Sequence, residues 1–183
     1  MKTFRHLLCW ISTAELAASL TLWASPPPAA PEGMIAPLFS SRDQDGNNWK
    51  LSDHIGKSVV FMYFFPKADT ADSSAEACSL RDNMLELKQK GVDVVGVSFD
   101  DKKIQKEFIF KYNLDFPLLT DACGAIADAY GTRMDSHGKM DRFVSFVIGL
   151  NGKITHVTDS PDPAAHVKEL ANALAQLKVK VSP

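Results

Sequence analysis

A chain of 183 residues, 45% of them hydrophobic, is long enough to fill one core and too short for several. Its 20 basic and 22 acidic side chains leave a net charge of -2; with a pI near 6.2, this excludes the basic footprint of a nucleic-acid binder. Three cysteines are too few for a disulfide framework. His6, His54, His137, His156 and His166 show no metal-ligand spacing, so neither a metal nor another cofactor is expected.

Residues 1–25 begin with Lys2, Arg5 and His6 and continue in a mostly apolar run from Leu7 to Ala24. This pattern reads as a signal peptide or an N-terminal anchor, although Glu15 inside the run suits neither well. Export to the periplasm or outside is expected, with membrane anchoring through this segment as the other outcome. Cys9 reads as an apolar residue of the leader. Residues 26–34 form a Pro/Ala-rich linker, expected to be extended, and residues 35–183 the folded domain.

Within that domain, Asp45-Gly46 marks a hairpin. Val59 to Phe65 is an unbroken apolar run of strand length, as expected for a strand covered on both faces. Ser73 or Ser74 is expected to start a helix whose Ala77, Leu80, Met84 and Leu87 repeat at helical spacing, with Gly91 stopping it. Ser73-Ser74-Ala75-Glu76 fits a capping box, Ser73 capping the helix and Glu76 reaching back. A strand follows over Val92 to Phe99, a helix over Lys102 to Tyr112, a strand over Phe116 to Leu119, and a short helix over Ile126 to Tyr130 closed by Gly131. Phe143 to Ile148 and Ile154 to Val157, joined through Asn151-Gly152, read as a hairpin, and Ala164 to Leu177 as an amphipathic helix. Alternating strands and helices ending in a hairpin imply an α/β domain whose central mixed sheet has helices on both faces.

Pro66, Thr70 and Ser73 occupy the spacing Pro-x-x-x-Thr-x-x-Ser, with Cys78 five residues on. This segment resembles the active loop of the peroxiredoxin family, specifically its bacterioferritin-comigratory or Q type, in which the last position of the pattern is cysteine. The resemblance extends in order over roughly residues 35–158: Ala36-Pro37-Leu38-Phe39, Asp45-Gly46, Leu51-Ser52-Asp53, Gly56-Lys57, Val59 to Thr70, Glu76 to Asp82, Gly96 to Asp100, Phe116 to Leu119 and Ala129-Tyr130-Gly131. It implies a thioredoxin-like fold with an N-terminal β-hairpin extension. It also implies that Ser73 stands at the peroxidatic position and Cys78 at the resolving one, with Pro66 and Thr70 shaping the pocket. The substrates implied are hydrogen peroxide or alkyl hydroperoxides, the reductant a thioredoxin-like protein, and the assembly a monomer or weak dimer.

Peroxide reduction needs a thiolate and passes through a sulfenic acid. A serine hydroxyl is too weak an acid to replace it without a dedicated base. Two departures accompany Ser73. Ala71 and Asp72 stand where the family usually has proline and glycine, so a carboxylate adjoins the reacting position. The family's arginine, two residues before a Ser or Thr on a late strand, matches Phe143 here. Arg142 is one residue off, and alternation along a strand points it away from the pocket unless a bulge intervenes. Cys78 also suits a small apolar position in the helix, and Cys123, before Gly124, an ordinary loop position. A Cys78–Cys123 disulfide is left open. Two functions follow: a peroxide reductase of weakened or lost activity, or a non-enzymatic binding or scaffold protein retaining the fold.

Overall fold

The computed structural model describes residues 27–134 and 141–177. The expected leader over residues 1–25, with Cys9, lies outside the described residues, as does His137. Five strands form one sheet in the order β5-β4-β3-β6-β7. They are β3 (Val59–Phe64), β4 (Val92–Ser98), β5 (Leu118–Thr120), β6 (Val144–Ile148) and β7 (Ile154–Asp159). The β3–β4 and β4–β5 pairs are parallel, and the β3–β6 and β6–β7 pairs antiparallel. An antiparallel hairpin of β1 (Ser40–Arg42) and β2 (Asn48–Lys50) precedes the sheet, and a single 3-10 turn follows over Leu51–Asp53. This is the thioredoxin-like arrangement with its hairpin extension.

Every residue of β3 is buried, so its alternating side chains feed two separate cores. Phe61 and Tyr63, followed by Phe65, join a cluster with α1 (Ala71–Asp82), α2 (Met84–Gln89), α3 (Lys102–Tyr112) and α5 (Pro163–Leu177), through Ala77, Leu80, Met84, Leu87, Phe108 and Leu170. Val60, Met62 and Phe64 join the other, under α4 (Ala125–Tyr130), with Leu51, Leu119, Ile126 and Tyr130. The predicted elements appear in the predicted order; besides an earlier start of α1, at Ala71, there are two differences. The long helix expected from Ser73 to Gly91 is two helices broken at Asn83, which caps both. The Pro/Ala-rich segment, from residue 27 on, is docked on the domain: Ala30 is buried, its N–H donates to the Tyr130 carbonyl at 2.9 Å, and the Gly33 N–H donates to the Ile154 carbonyl at 2.7 Å.

Gly96 makes room at the centre of β4. A Cβ there would lie 2.5 Å from Leu118 Cδ2 and 2.9 Å from Tyr63 Cζ, closer than packed carbons approach. Gly96→Ala is expected to lower stability by about 1–3 kcal/mol through overpacking, read as a lower urea midpoint at unchanged slope. An unchanged midpoint would mean that the Tyr63 ring has space to retreat.

Candidate functional site

The chain leaves β3 at Phe65 and reaches α1 through a loop fixed at successive residues. The Ala68 N–H donates to the Asp100 carboxylate at 2.7 Å, which also accepts from Ser98 Oγ at 3.0 Å, so the loop is tied to the end of β4. Asp69 sits in the left-handed region at φ 60°, a conformation a short polar side chain tolerates. Its carboxylate accepts from Lys111 Nζ at 2.7 and 2.8 Å and from the Tyr112 hydroxyl at 2.8 Å. Those contacts, the lysine first, lower the Asp69 pKa below the ordinary carboxylate value.

Thr70 then caps α1. Its hydroxyl oxygen accepts from the Ser73 N–H at 3.3 Å while its proton is donated to Ser73 Oγ at 2.9 Å. This corrects the expected capping box: the helix starts two residues before Ser73, at Ala71, and Glu76 does not reach back. The earlier start places Ser73, Glu76, Ala77 and Leu80 together on the buried face, at spacings of three and four that align on a helix. Ser73 is 1% exposed, and the hydroxyl of Thr70 is its described side-chain partner.

The structure brings Thr70 and Ser73 into contact and places Pro66, half-buried, in the same loop. Cys78 lies further along α1, half-buried, while Cys123 is exposed, and both thiols are free. Asp72 is exposed in the first helical turn. Arg142 is not part of this group. It ion-pairs with Asp159 and donates to the Gly131 and Pro27 carbonyls at 2.6 and 2.9 Å. Arg142 lies before β6, whose register with β3 runs unbroken from Val60↔Ile148 to Phe64↔Val144, so strand alternation does not set its direction; these contacts do. Phe143 packs on the α1 side instead.

A buried polar cluster that the sequence reading missed lies beneath α1. Glu76 is 0% exposed, and neither carboxyl oxygen has a hydrogen-bond partner among the described residues. Its neighbour is His166 of α5, with Nδ1 3.8 Å from Oε1, beyond hydrogen-bond range. His166 engages Ser145 Oγ through Nδ1 and the Ser160 carbonyl through Nε2, each at 2.8 Å. A carbonyl only accepts, so Nε2 carries the proton and Nδ1 accepts from Ser145. The Tyr63 hydroxyl is also buried with no partner among the described residues. Burial raises the Glu76 pKa from 4.5 to about 8 and lowers that of His166. Both shifts favour neutral forms, so Glu76 and His166 face each other near neutral pH as uncharged groups rather than as a salt bridge.

The AhpC/TSA family model matches residues 33–157. Peroxiredoxin Bcp of Escherichia coli K12 is 38% identical over 149 residues, covering 79% of this chain and 95% of that protein. The chloroplastic peroxiredoxin Q of Oryza sativa subsp. japonica is 33% identical over 192 residues, covering 94% of this chain and 88% of that one. The crystal structure of peroxidoxin BcpB from Mycobacterium tuberculosis superposes with a TM-score of 0.74 at 31% identity, covering 82% and 98% of the two chains.

This chain belongs to the AhpC/TSA family of peroxiredoxins. Its peroxiredoxin loop is thus built on hydroxyl, carboxylate and backbone contacts, and the buried carboxyl of Glu76 lies one helical turn below it. That carboxyl makes stability depend on pH. The folded protein keeps the Glu76 proton up to about pH 8, whereas the unfolded chain releases it near ~4.3. Stability therefore falls as pH rises through this window and levels off above it. Glu76→Gln removes the dependence. Relative to wild type, the variant is expected to gain about 4 kcal/mol between about pH 5 and pH 8.5, measured by urea denaturation at both. A difference independent of pH would show that Glu76 is already ionised in the folded protein.

Proposed function

We propose that this protein descends from thiol-dependent peroxide reductases of the Bcp and peroxiredoxin Q type and that its peroxidase activity is weakened or lost, Ser73 standing where the lineage carries its peroxidatic cysteine. In the lineage reaction a thiolate attacks one peroxide oxygen. A sulfur–oxygen bond forms as the O–O bond breaks, the departing oxygen leaves as water or alcohol after taking a proton, and the sulfenic acid is returned to thiol by a reducing dithiol. The observation that carries the proposal is the environment of Ser73. Its hydroxyl is 1% exposed and is engaged by another hydroxyl, that of Thr70; no hydrogen bond joins it to a basic side chain among the described residues. Without such a base it stays protonated at neutral pH, and oxygen has no counterpart of the sulfenate step. Arg142, turned to Asp159, supplies no positive charge there. Hydrogen peroxide or alkyl hydroperoxides are the substrates of any remaining activity, with a thioredoxin-like protein as reductant.

The purified protein is expected to reduce hydrogen peroxide no faster than free cysteine at equal thiol concentration, with a thioredoxin system or a small thiol as reductant. A second-order rate of ~10⁴ M⁻¹s⁻¹ or more, an ordinary enzymatic efficiency, would overturn the proposal, and Cys78→Ser and Cys123→Ser would then show which thiol carries it.

We further infer from Lys2, Arg5 and the apolar run to Ala24 that the protein is exported, as a cleaved or an anchored form. No helix among the described residues is long and apolar enough to cross a membrane, so an anchored form would be held by the first 25 residues. Export would set it apart from cytosolic thioredoxin, in a compartment where disulfides persist. A mature N-terminus near Ser25 in the exported fraction is the expected result of N-terminal sequencing after fractionation. An intact Met1 in membranes would select the anchor, and an intact Met1 in the soluble cytoplasm would refute export.

A further inference from the structure

The end of the sheet opposite the peroxiredoxin loop carries a groove that the chemistry at position 73 does not use. The loop begins at Phe65, whereas Asp93 of β4 stands beside Val60, roughly 15 Å back along the strand. Two lobes meet there, of about 360 and 120 Å³, and share Trp49, Asp115, Phe116 and Pro117 as walls. Ile109 and Leu114 extend the apolar lining of the larger lobe, while His54, Asp93 and Lys88 line the smaller one. A largely apolar cleft of this size with a few placed polar groups is the usual form of a small-molecule site.

His54 is held in one orientation. It ends the 3-10 turn, its ring stacks on Trp49 with centroids 4.6 Å apart, and Trp49 stacks in turn on Phe39 at 5.5 Å. Its Nδ1 lies 2.6 Å from Asp93 Oδ2, which also accepts from the Ser58 hydroxyl. A carboxylate only accepts, so Nδ1 carries a proton, and Nε2 of the neutral ring is an acceptor. That nitrogen has no hydrogen-bond partner among the described residues, and neither has Asp93 Oδ1. Asp115 accepts from Lys88 Nζ at 2.8 Å through Oδ2, again with no described partner for its other oxygen. The carboxylates of Asp43, Asp93 and Asp115 thus line the groove against the single ammonium of Lys88. Such a lining repels anions and favours a ligand that brings N–H donors and positive charge. The aromatic and prolyl walls favour a flat apolar body. We propose that this groove binds small aromatic amines. The ammonium donates to His54 Nε2 and is held by the carboxylates of Asp93 and Asp115, and the ring lies against Phe116, Pro117 and Trp49.

Titration of the full-length protein with phenethylamine, followed by NMR, tests this. Saturable shifts of the Trp49 indole and His54 imidazole resonances are expected, with a Kd of about 1 mM or tighter, while the Thr70 and Ser73 amides stay in place. Phenylacetate, which carries a carboxylate in place of the ammonium, is expected to bind at least about tenfold more weakly. His54→Phe, which keeps a ring against Trp49, and Asp115→Asn, at an exposed side chain, are each expected to weaken phenethylamine about threefold or more. The absence of saturable shifts up to about 10 mM ligand, equal affinity for the two compounds, or full affinity in either variant overturns the proposal. The comparison of the two compounds on wild type decides the matter even where a variant fails to fold.

Discussion

Burial of β3 on both faces is the constraint on which the rest depends. A strand hydrogen-bonded to β4 on one side and β6 on the other, with all six residues buried, has no freedom of register. Slipping it by one residue would exchange Phe61 and Tyr63 with Val60, Met62 and Phe64 between two cores already filled by different helices. The loop after it inherits that rigidity. Ala68 is tied to Asp100 and Asp69 to Lys111 and Tyr112, so the start of α1 is placed by β4 and α3 as well as by its own chain. The ion pair at Asp69 is exposed on both partners and contributes little by itself. Its part is geometric, holding a left-handed residue where the chain must turn.

Sequence pattern made the architecture legible wherever burial and periodicity agree. The apolar run of β3 and the α3 helix, which spans the expected Lys102–Tyr112, are plain because a strand covered on both faces and an amphipathic helix each leave one unmixed signature. The start of α1 was obscured because two overlapping patterns satisfy a helix cap: Ser73 followed by Glu76, and Thr70 followed by Ser73. Local chemistry cannot separate them. Packing does, since a start at Ala71 turns the face with Ala77 and Leu80 inward, and Glu76 is carried in with them. The break at Asn83 has the same origin, for no glycine or proline marks it.

The buried cluster was hidden for a related reason. Glu76 has a ready surface explanation as a reciprocal cap, and a lone histidine without metal-ligand spacing invites none. One signal was available: His166, Leu170, Ala173 and Leu174 fall at i, i+4, i+7 and i+8, the stripe of a buried helix face, so His166 belongs inside. That Glu76 lies opposite it comes from the packing of α5 on α1, a contact between segments about ninety residues apart that no local pattern encodes.

The loop is held by contacts that make little use of the side chain at position 73. Asp69, Asp100, Lys111 and Tyr112 act before it, and Thr70 caps the helix through the Ser73 backbone N–H. Beyond that N–H, residue 73 contributes an acceptor for the Thr70 hydroxyl, which any small polar side chain could supply. The loop is thus shaped mainly by its neighbours and by the backbone N–H of residue 73. The deeper layer is less permissive. Ser145 and His166 satisfy one another, but Glu76 and Tyr63 have buried polar atoms with no partner among the described residues, and such groups cost more buried than any one hydrogen bond returns. The tension in this structure therefore sits beneath the loop, where α1 packs over a buried carboxyl group that has no hydrogen-bond partner among the described residues.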